Sequence, residues 1–112
     1  MAGSLNLDAS LIKVDARSGN AIWTRTWNLG KEDAFEGVTQ TENGDIWATG
    51  YRDGLAEGTF LNWGKGILIK TDSDGKEEWK KDLSAYTSSG YRIKESGGHF
   101  LLACHPKDEE SP

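Results

Sequence analysis

Apolar residues in this chain are grouped in short runs of strand length, separated by glycine-containing turns. The runs GILIK, HFLLAC and DIWATG are nearly continuous and do not alternate strictly with polar residues. Such runs are typical of strands that are covered on both faces, whereas a strand exposed on one face alternates. The glycine spacing and the enrichment in Thr, Ile and Trp do not suit helices. The pattern therefore predicts an all-β fold without a helix.

One stretch of the chain is repeated, as LIKVDARSGNAIWTRTW at residues 11–27 and as LIKTDSDGKEEWKKDL at residues 68–83. In both copies Leu-Ile-Lys is followed by an Asp, a Gly and a Trp. These repeated residues are Asp15, Gly19, Trp23, Asp72, Gly75 and Trp79. The offset of about 55 residues is typical of propellers and other repeat arrays.

A second, weaker pair of similar stretches lies between and after these copies, GVTQTENGDIWATGY from Gly37 and GYRIKESGGHFLLACH from Gly90. Each consists of a strand, a glycine turn and a second strand. The turns Asn43-Gly44 and Ser73-Asp74-Gly75 contain residues that tolerate positive φ in tight hairpins, so the strands they join should be antiparallel neighbours. The repeating unit is then four strands, near residues 37–41, 45–51, 66–72 and 77–83.

These units predict β-propeller blades: one complete four-stranded antiparallel blade at residues 37–83, flanked by half-blades at 11–27 and 90–105. Residues 1–10 form a leader that can be disordered, and residues 106–112 form a disordered acidic tail. Propellers typically have about 4 to 8 blades, so two blade equivalents cannot close a ring. Either the chain is a segment of a longer propeller, or copies assemble head to tail, the N-terminal half-blade of one completing the C-terminal half-blade of the next.

The run VDARSGNAIW resembles the tryptophan-docking motif of quinoprotein dehydrogenase-like propellers, which reads Ala, x, Asp, x, x, Thr, Gly, three residues and Trp. Ser18 stands where the motif has Thr, and Lys13 replaces a small residue. The later copy, TDSDGKEEW, is one residue shorter and is similar to repeats of bacterial propellers. In that family the Trp packs on a turn of a neighbouring blade, so the resemblance implies a structural role for Trp23 and Trp79. No residue of the chain matches the cofactor-binding residues of quinoproteins.

The composition excludes several classes of partner. The chain has 112 residues, a formal net charge of −5 and a pI near 5.0. Nucleic-acid binding needs clustered Lys and Arg, which argues against a nucleic-acid partner. No stretch approaches the ~20 apolar residues that cross a bilayer, so no membrane partner is predicted. Cys104 is the single cysteine, which excludes an internal disulfide. The compartment is not determined.

Two groups of residues suggest metal or nucleophile chemistry, and neither has the required spacing. Asp72-Ser73-Asp74-Gly75 resembles the start of a calcium loop, but the later ligands and the distal Glu are missing, which favours a plain hairpin. Cys104 and His105 would point to opposite faces of a strand, and Cys104 is expected to be a small buried side chain. The sequence therefore predicts no catalytic, cofactor-binding or metal-binding residue, and an enzyme is the less favoured reading.

The connection RDGLAEGTFLNWGKG at residues 52–66 is the main candidate for binding, because long irregular loops are uncommon and often functional. It combines apolar side chains with charged flanks, the composition of an interface hot spot. The candidate residues are Arg52, Asp53, Glu57, Phe60, Leu61, Trp63 and Lys65. Alternatively, Phe60 and Trp63 fold back and cap their own blade. The acidic connection with Glu32, Asp33 and Glu36 is expected on the solvated surface.

Three functions fit these features. The first is a non-catalytic propeller module that binds protein or self-assembles as a homo-oligomer, with no cofactor. The second, implied by the resemblance, is a fragment of a quinoprotein-like dehydrogenase with a quinone cofactor. The third is a lectin-like module that binds a sugar or another small molecule, with Phe60 and Trp63 as a stacking platform.

Overall fold

A computed structural model of the chain describes residues 8–30, 32–52 and 64–106. Eight strands occur in these ranges, and no helix. The strands are β1 (Ala9–Val14), β2 (Ala21–Trp27), β3 (Ala34–Gln40), β4 (Ile46–Arg52), β5 (Lys65–Thr71), β6 (Glu77–Asp82), β7 (Gly90–Ser96) and β8 (His99–Cys104). The predicted all-β class is confirmed.

The strands form three antiparallel sheets. β1 and β2 make the N-terminal hairpin, β3 to β6 make the four-stranded central sheet in chain order, and β7 and β8 make the C-terminal hairpin. The first strand of the central sheet begins at Ala34, three residues before the predicted start, because the ladder continues past a bulge at Glu36. A bulge of this kind leaves no mark in the hydrophobic pattern.

The turn of the N-terminal hairpin is closed by Asp15. Its backbone N–H donates to the carbonyl of Asn20 at 2.8 Å, and its Oδ1 accepts the N–H groups of Ser18 and Arg17. These two backbone donors, Ser18 first, lower the pKa of the Asp15 carboxyl. Gly19 ends the turn at φ +77°, a conformation that disfavours side chains with a Cβ.

The turn between β5 and β6 is built in the same way around Asp72. Its Oδ1 accepts the N–H groups of Lys76 and Asp74, each at 2.9 Å, and Gly75 adopts φ +82°. The hydrogen bond from the Lys76 N–H is the main reason that the pKa of the Asp72 carboxyl is lowered. Since this carboxylate is engaged by its own backbone, the Asp72 to Gly75 segment is a hairpin turn.

The N-terminal hairpin packs on one face of the central sheet. Ile67 and Ile69 are 4% and 0% exposed and form a cluster with Trp27 from β2. Phe35 joins from β3, with its ring centroid 5.3 Å from that of Trp27 in an edge-to-face arrangement. Leu11 and Leu29 pack against the same cluster.

The C-terminal hairpin covers the opposite face of the central sheet, where alternate residues of β4 point. The Trp47 ring stacks on Phe100 of β8 at 4.0 Å between centroids and meets the edge of Trp79 at 5.2 Å. Thr49 is fully buried, and a Cβ placed on Gly90 would lie 2.2 Å from its Oγ1. The continuous apolar runs of β4 and β5 thus correspond to strands covered on both faces.

Three expectations about burial are wrong. The apolar run HFLLAC of β8 is covered on one face only, because Phe100 packs on Trp47 whereas Leu101 is 64% exposed. Cys104 is exposed, because it lies at the end of β8, which is hydrogen-bonded only to β7. Asp33, expected on the surface, is 3% exposed, and its Oδ2 accepts the backbone N–H of Leu29 at 2.8 Å. A buried carboxylate of this kind substitutes for a missing backbone partner in the turn that leads to β3.

Candidate interaction surfaces

The contact between the N-terminal hairpin and the β5–β6 turn shows how two sheets of this chain recognise each other. The Trp23 indole lies on Gly75, where a Cβ would come within 2.8 Å of Cη2 and 2.9 Å of Cζ3. Arg25 donates through Nη2 to the carbonyl of Asp74 at 2.7 Å, and its guanidinium lies 5.2 Å from the Trp23 centroid. Only glycine leaves room for the indole here.

A second hydrogen bond extends this contact along the same strand. Trp27 donates through Nε1 to Oε1 of Glu77 at 2.9 Å. The Nε1 of Trp23 is buried and has no hydrogen-bond partner among the residues that the structure describes. The Trp23 contact therefore depends on shape and on the cation above the ring, not on hydrogen bonding by the indole.

The other repeated Trp and Gly residues lack such a counterpart within the described parts of the chain. Trp79 is half-buried, and its ring is in edge-to-face contact with that of Trp47. Nothing lies within 4 Å of the position that a Cβ would take at Gly19. The chain therefore presents one further indole and one further open glycine turn, on opposite sides of the central sheet.

The outward face of the N-terminal hairpin is apolar and uncovered. We call this face, formed by Ile12, Val14 and Ile22, the N-terminal outer face; these residues are 60%, 53% and 56% exposed. Ile12 follows Leu11 as Ile69 follows Leu68, and Ile69 is fully buried. Two isoleucines at matching places thus differ in cover, because β5 has a strand on each side and a hairpin over this face, whereas β1 has one neighbouring strand and Ile12 has no sheet over it within the described residues.

Further exposed apolar residues lie on the outer face of the C-terminal hairpin and, on the other side of the central sheet, on β3. Leu101, which points away from Trp47, is 64% exposed, and Tyr91 is 40% exposed. Val38 on β3 is 56% exposed. Exposed apolar residues that cluster on sheet faces mark interaction sites more often than isolated ones do.

Both hairpins have open strand edges, because β1 and β2 are hydrogen-bonded only to each other, and so are β7 and β8. β1 and β8 are two of these edge strands. Edge strands of monomeric proteins are usually protected by charge, proline or bulges. The strands ASLIKV and HFLLAC carry one lysine and one histidine between them, and no acidic residue or proline. Both resemble interior strands in composition.

The ionisable side chains on the central sheet form ordinary ion pairs. Lys70 Nζ lies 3.3 Å from carboxylate oxygens of Asp45 and Glu78, and its hydrogen bond with Asp45 is the main reason that its pKa is raised. The backbone N–H of Ser84 lowers the pKa of the Asp82 carboxyl, which also pairs with Arg52 at 3.2 Å. These shifts hold the groups in their usual charged forms, which does not suit a general base near neutral pH.

One tyrosine near the acidic connection is also affected. Burial raises the pKa of Tyr51, and the negative charges of Glu32, Glu36 and Asp33 raise it further. The phenol therefore stays protonated under ordinary conditions.

The loop that the sequence singled out is described only at its ends. Arg52 is the last residue of β4 and Lys65 the first of β5, and the two are directly paired. Lys65 is exposed. The remaining candidates lie outside the described residues: Asp53, Glu57, Phe60, Leu61 and Trp63.

No group of three or more His, Cys, Asp or Glu side chains within residues 8–30, 32–52 and 64–106 is placed to hold a metal ion. The ring of His105 lies 4.7 Å from that of Tyr91, and its backbone N–H donates to the carbonyl of Ser89 at 2.8 Å. His105, which directly follows β8, is therefore held in place by both its backbone and its ring.

A buried polar turn before β7 was missed by the sequence reasoning. Thr87, Ser88 and Ser89 are 1% to 3% exposed. Ser89 donates through Oγ to Oε1 of Glu36 at 2.8 Å, and Gly66 donates to the carbonyl of Thr87 at 3.0 Å. The only sequence signal is the short Ser/Thr run, which is equally typical of a solvated loop.

No protein-family model matches the chain, and no match was found among curated proteins or solved structures. The described ranges contain no helix long and apolar enough to cross a membrane.

Proposed function

We propose that the chain is a non-catalytic β-propeller module that serves as a protein-binding or self-assembly scaffold, with the central sheet as one complete blade and each hairpin as half a blade. The observation that carries the proposal is that the two hairpins have the registers of the two halves of the central sheet. Each half leaves an apolar face and a strand edge uncovered, and these surfaces are suited to bind protein.

The N-terminal hairpin corresponds to β5 and β6. In both hairpins the Lys of Leu-Ile-Lys is paired with the repeated Trp, as Lys13 with Trp23 and Lys70 with Trp79. In both, the register shifts directly after that Lys, towards the Asp turn. The N-terminal hairpin is thus the third and fourth strands of a blade.

The C-terminal hairpin corresponds to β3 and β4, because both contain a bulge near the start of their first strand. The bulge follows the pair Phe35–Gly50 in the central sheet and the pair Gly90–Cys104 in the hairpin. Gly90 therefore corresponds to Phe35. The weaker sequence similarity had instead aligned Gly90 with Gly37. The C-terminal hairpin is the first and second strands of a blade.

The packing of the sheets supports the propeller arrangement and the resemblance to tryptophan-docking repeats. The hairpins cover opposite faces of the central sheet, as neighbouring blades do. Trp23 of one unit lies on Gly75 of the next. The lectin-like alternative depends on Phe60 and Trp63, which are outside the described residues, and the quinoprotein alternative depends on the resemblance alone.

The test of this function is the mass of the protein in solution, measured by light scattering on a size-exclusion column over a wide range of concentrations. We expect association above the monomer mass, and we expect Ile12→Lys on the N-terminal outer face to weaken it, because a charge cannot be buried there without a partner. Ala85→Lys, in an exposed turn away from the outer faces, is the matched control. A monomeric wild-type chain, or association that the folded Ile12→Lys variant retains, would overturn the proposal.

A further inference from the structure

We propose that the partner of these surfaces is a second copy of the same chain, and that β8 of one copy pairs antiparallel with β1 of the next to form a composite four-stranded blade. This inference rests on the proposed function and specifies how the uncovered surfaces are used. Within one copy β1 and β8 are not in contact, so the pairing joins different chains.

The two hairpins are complementary parts of one unit. By register, the C-terminal hairpin supplies the first and second strands of a blade, and the N-terminal hairpin supplies the third and fourth. In the central sheet the second and third strands, β4 and β5, are neighbours. The open edges of β8 and β1 are therefore the two edges that a complete blade brings together.

The register of the composite blade follows from the central sheet. Gly50 is paired with Ile67 there, and the bulge positions make Cys104 the counterpart of Gly50. Ser10, which precedes Leu11 as Ile67 precedes Leu68, is the counterpart of Ile67. Cys104 of one copy is thus expected opposite Ser10 of the next. Leu102 is then opposite Ile12, and Ala103 opposite Leu11.

The same arrangement supplies the missing counterpart of the second indole. Trp23 packs on Gly75 within one chain, and Trp79 of one copy would pack on Gly19 of the next in the same way. Gly19 has the required positive φ and open space at its Cβ position. Lys81 is paired with Leu68 as Arg25 is with Leu11. Because Arg25 donates to the carbonyl of the residue before Gly75, Lys81 would face the carbonyl of Ser18, the residue before Gly19.

The composite blade also covers the exposed apolar residues. The N-terminal outer face of the second copy would lie on the face of β5 and β6 that carries Leu68 and Trp79 in the first copy. Ile12 would then be enclosed as Ile69 is within one chain. Leu101 and Val38 lie on faces that the same contact between copies would cover. One contact thus accounts for uncovered surface at both ends of the molecule.

The contact is head-to-tail, because the two copies use different surfaces. Each copy adds two blade equivalents, so closed rings of about four, six or eight blades correspond to two, three or four copies. A closed ring leaves no half-blade, and the edges that remain are the short, protected inner and outer strands of each blade, which lowers the aggregation hazard of the isolated chain.

The decisive experiment places a cysteine at Ser10. Residues directly opposite in antiparallel strands are about 4.5 to 5.5 Å apart at Cα, within the range for a disulfide. Under mild oxidation with oxidised glutathione, we expect Ser10→Cys to form an interchain disulfide with the natural Cys104, with loss of the monomer band on a non-reducing gel. The mass of the largest cross-linked species on the gel gives the number of copies in the assembly, whether it is a chain or a closed ring.

The matched control is Thr26→Cys. Thr26 is exposed, lies directly opposite Ser10 in the N-terminal hairpin, and is on the same face, but it is one strand further from β8 of the neighbouring copy. Since strands are about 4.8 Å apart, its Cα would lie nearly 10 Å from that of Cys104, too far for a disulfide. Wild type and Ser10→Cys with Cys104→Ser should not cross-link by this route.

A second experiment tests the docking pair by mixing variants. Trp79→Ala removes the indole, and Gly19→Val fills the turn, so each variant alone should associate less than wild type. A mixture contains one intact pair, Trp79 on one chain and Gly19 on the other, and should form a heterodimer. Failure of the mixture to associate more than either variant would overturn the docking role.

The outcomes separate this inference from the proposed function. If wild type associates and Ile12→Lys prevents it, but Ser10→Cys cross-links no better than Thr26→Cys, the scaffold role stands and the composite blade is wrong. If wild type is monomeric at every concentration, both are wrong, and the uncovered faces belong to a longer propeller.

Discussion

Ile12 and Ile69 offer a direct measurement of what cover is worth in this protein, since they are equivalent residues with 60% and 0% exposure. Replacing isoleucine by alanine removes three carbon atoms, about 2.4 kcal/mol of transfer free energy at about 0.8 kcal/mol per buried group. A residual cavity adds to this, so Ile69→Ala should lower the free energy of unfolding by about 2 to 5 kcal/mol. Ile12→Ala should cost the isolated chain about 0.5 kcal/mol or less.

The assay is urea unfolding followed by tryptophan fluorescence at several protein concentrations. With a slope of about 2 kcal/mol per M, Ile69→Ala should lower the urea midpoint by about 1 to 2.5 M at every concentration. The effect of Ile12→Ala should grow as concentration rises, because the wild-type outer face becomes buried on assembly. An equally large effect of both changes in the dilute, monomeric chain would refute the reasoning, since local structure and not cover would then set the cost.

Three further predictions concern the turns and the aromatic contacts. Gly75→Ala should destabilise the isolated chain more than Gly19→Ala in urea unfolding, because both impose positive φ on a side chain but only the first also displaces an indole; equal losses would contradict the docked turn. Because the pKa of Asp72 is lowered in the folded state, its carboxylate stabilises the fold at pH values above the unfolded pKa of about 3.9. That stabilisation is lost as the pH falls towards the pKa of the folded state. Asp72→Asn should therefore show a smaller fall in melting temperature between about pH 5 and 3 than wild type, and a parallel fall would count against this role. Trp47→Ala should cost about 3 to 5 kcal/mol in the same unfolding assay, and Trp79→Ala less in the monomer, because Trp47 contacts two rings, stacked on Phe100 and edge-to-face with Trp79; the reverse order would contradict the observed packing.

The glycine turns were accessible from the sequence because they depend on residues close together in the chain. Asp15 binds backbone groups two and three residues ahead of it, and Asp72 does so two and four residues ahead. Such contacts need only the right residue types at short spacing. The strand pattern was equally local, and the short turns predicted the β3–β4 and β5–β6 hairpins. That the two hairpins form one four-stranded sheet across the long connection between β4 and β5 followed from the repeat.

The sequence by itself determined the all-β class, the antiparallel hairpins and the residues that close their turns. Only the tertiary structure decided which strand faces are covered: it buries Ile69 and exposes Ile12, exposes Cys104, and buries Asp33 and the Thr87 turn. The physical reason is that burial depends on which other sheet lies over a side chain. Identical Leu-Ile-Lys segments therefore have different environments, because the central sheet has a neighbour on each face and each hairpin has one on a single face.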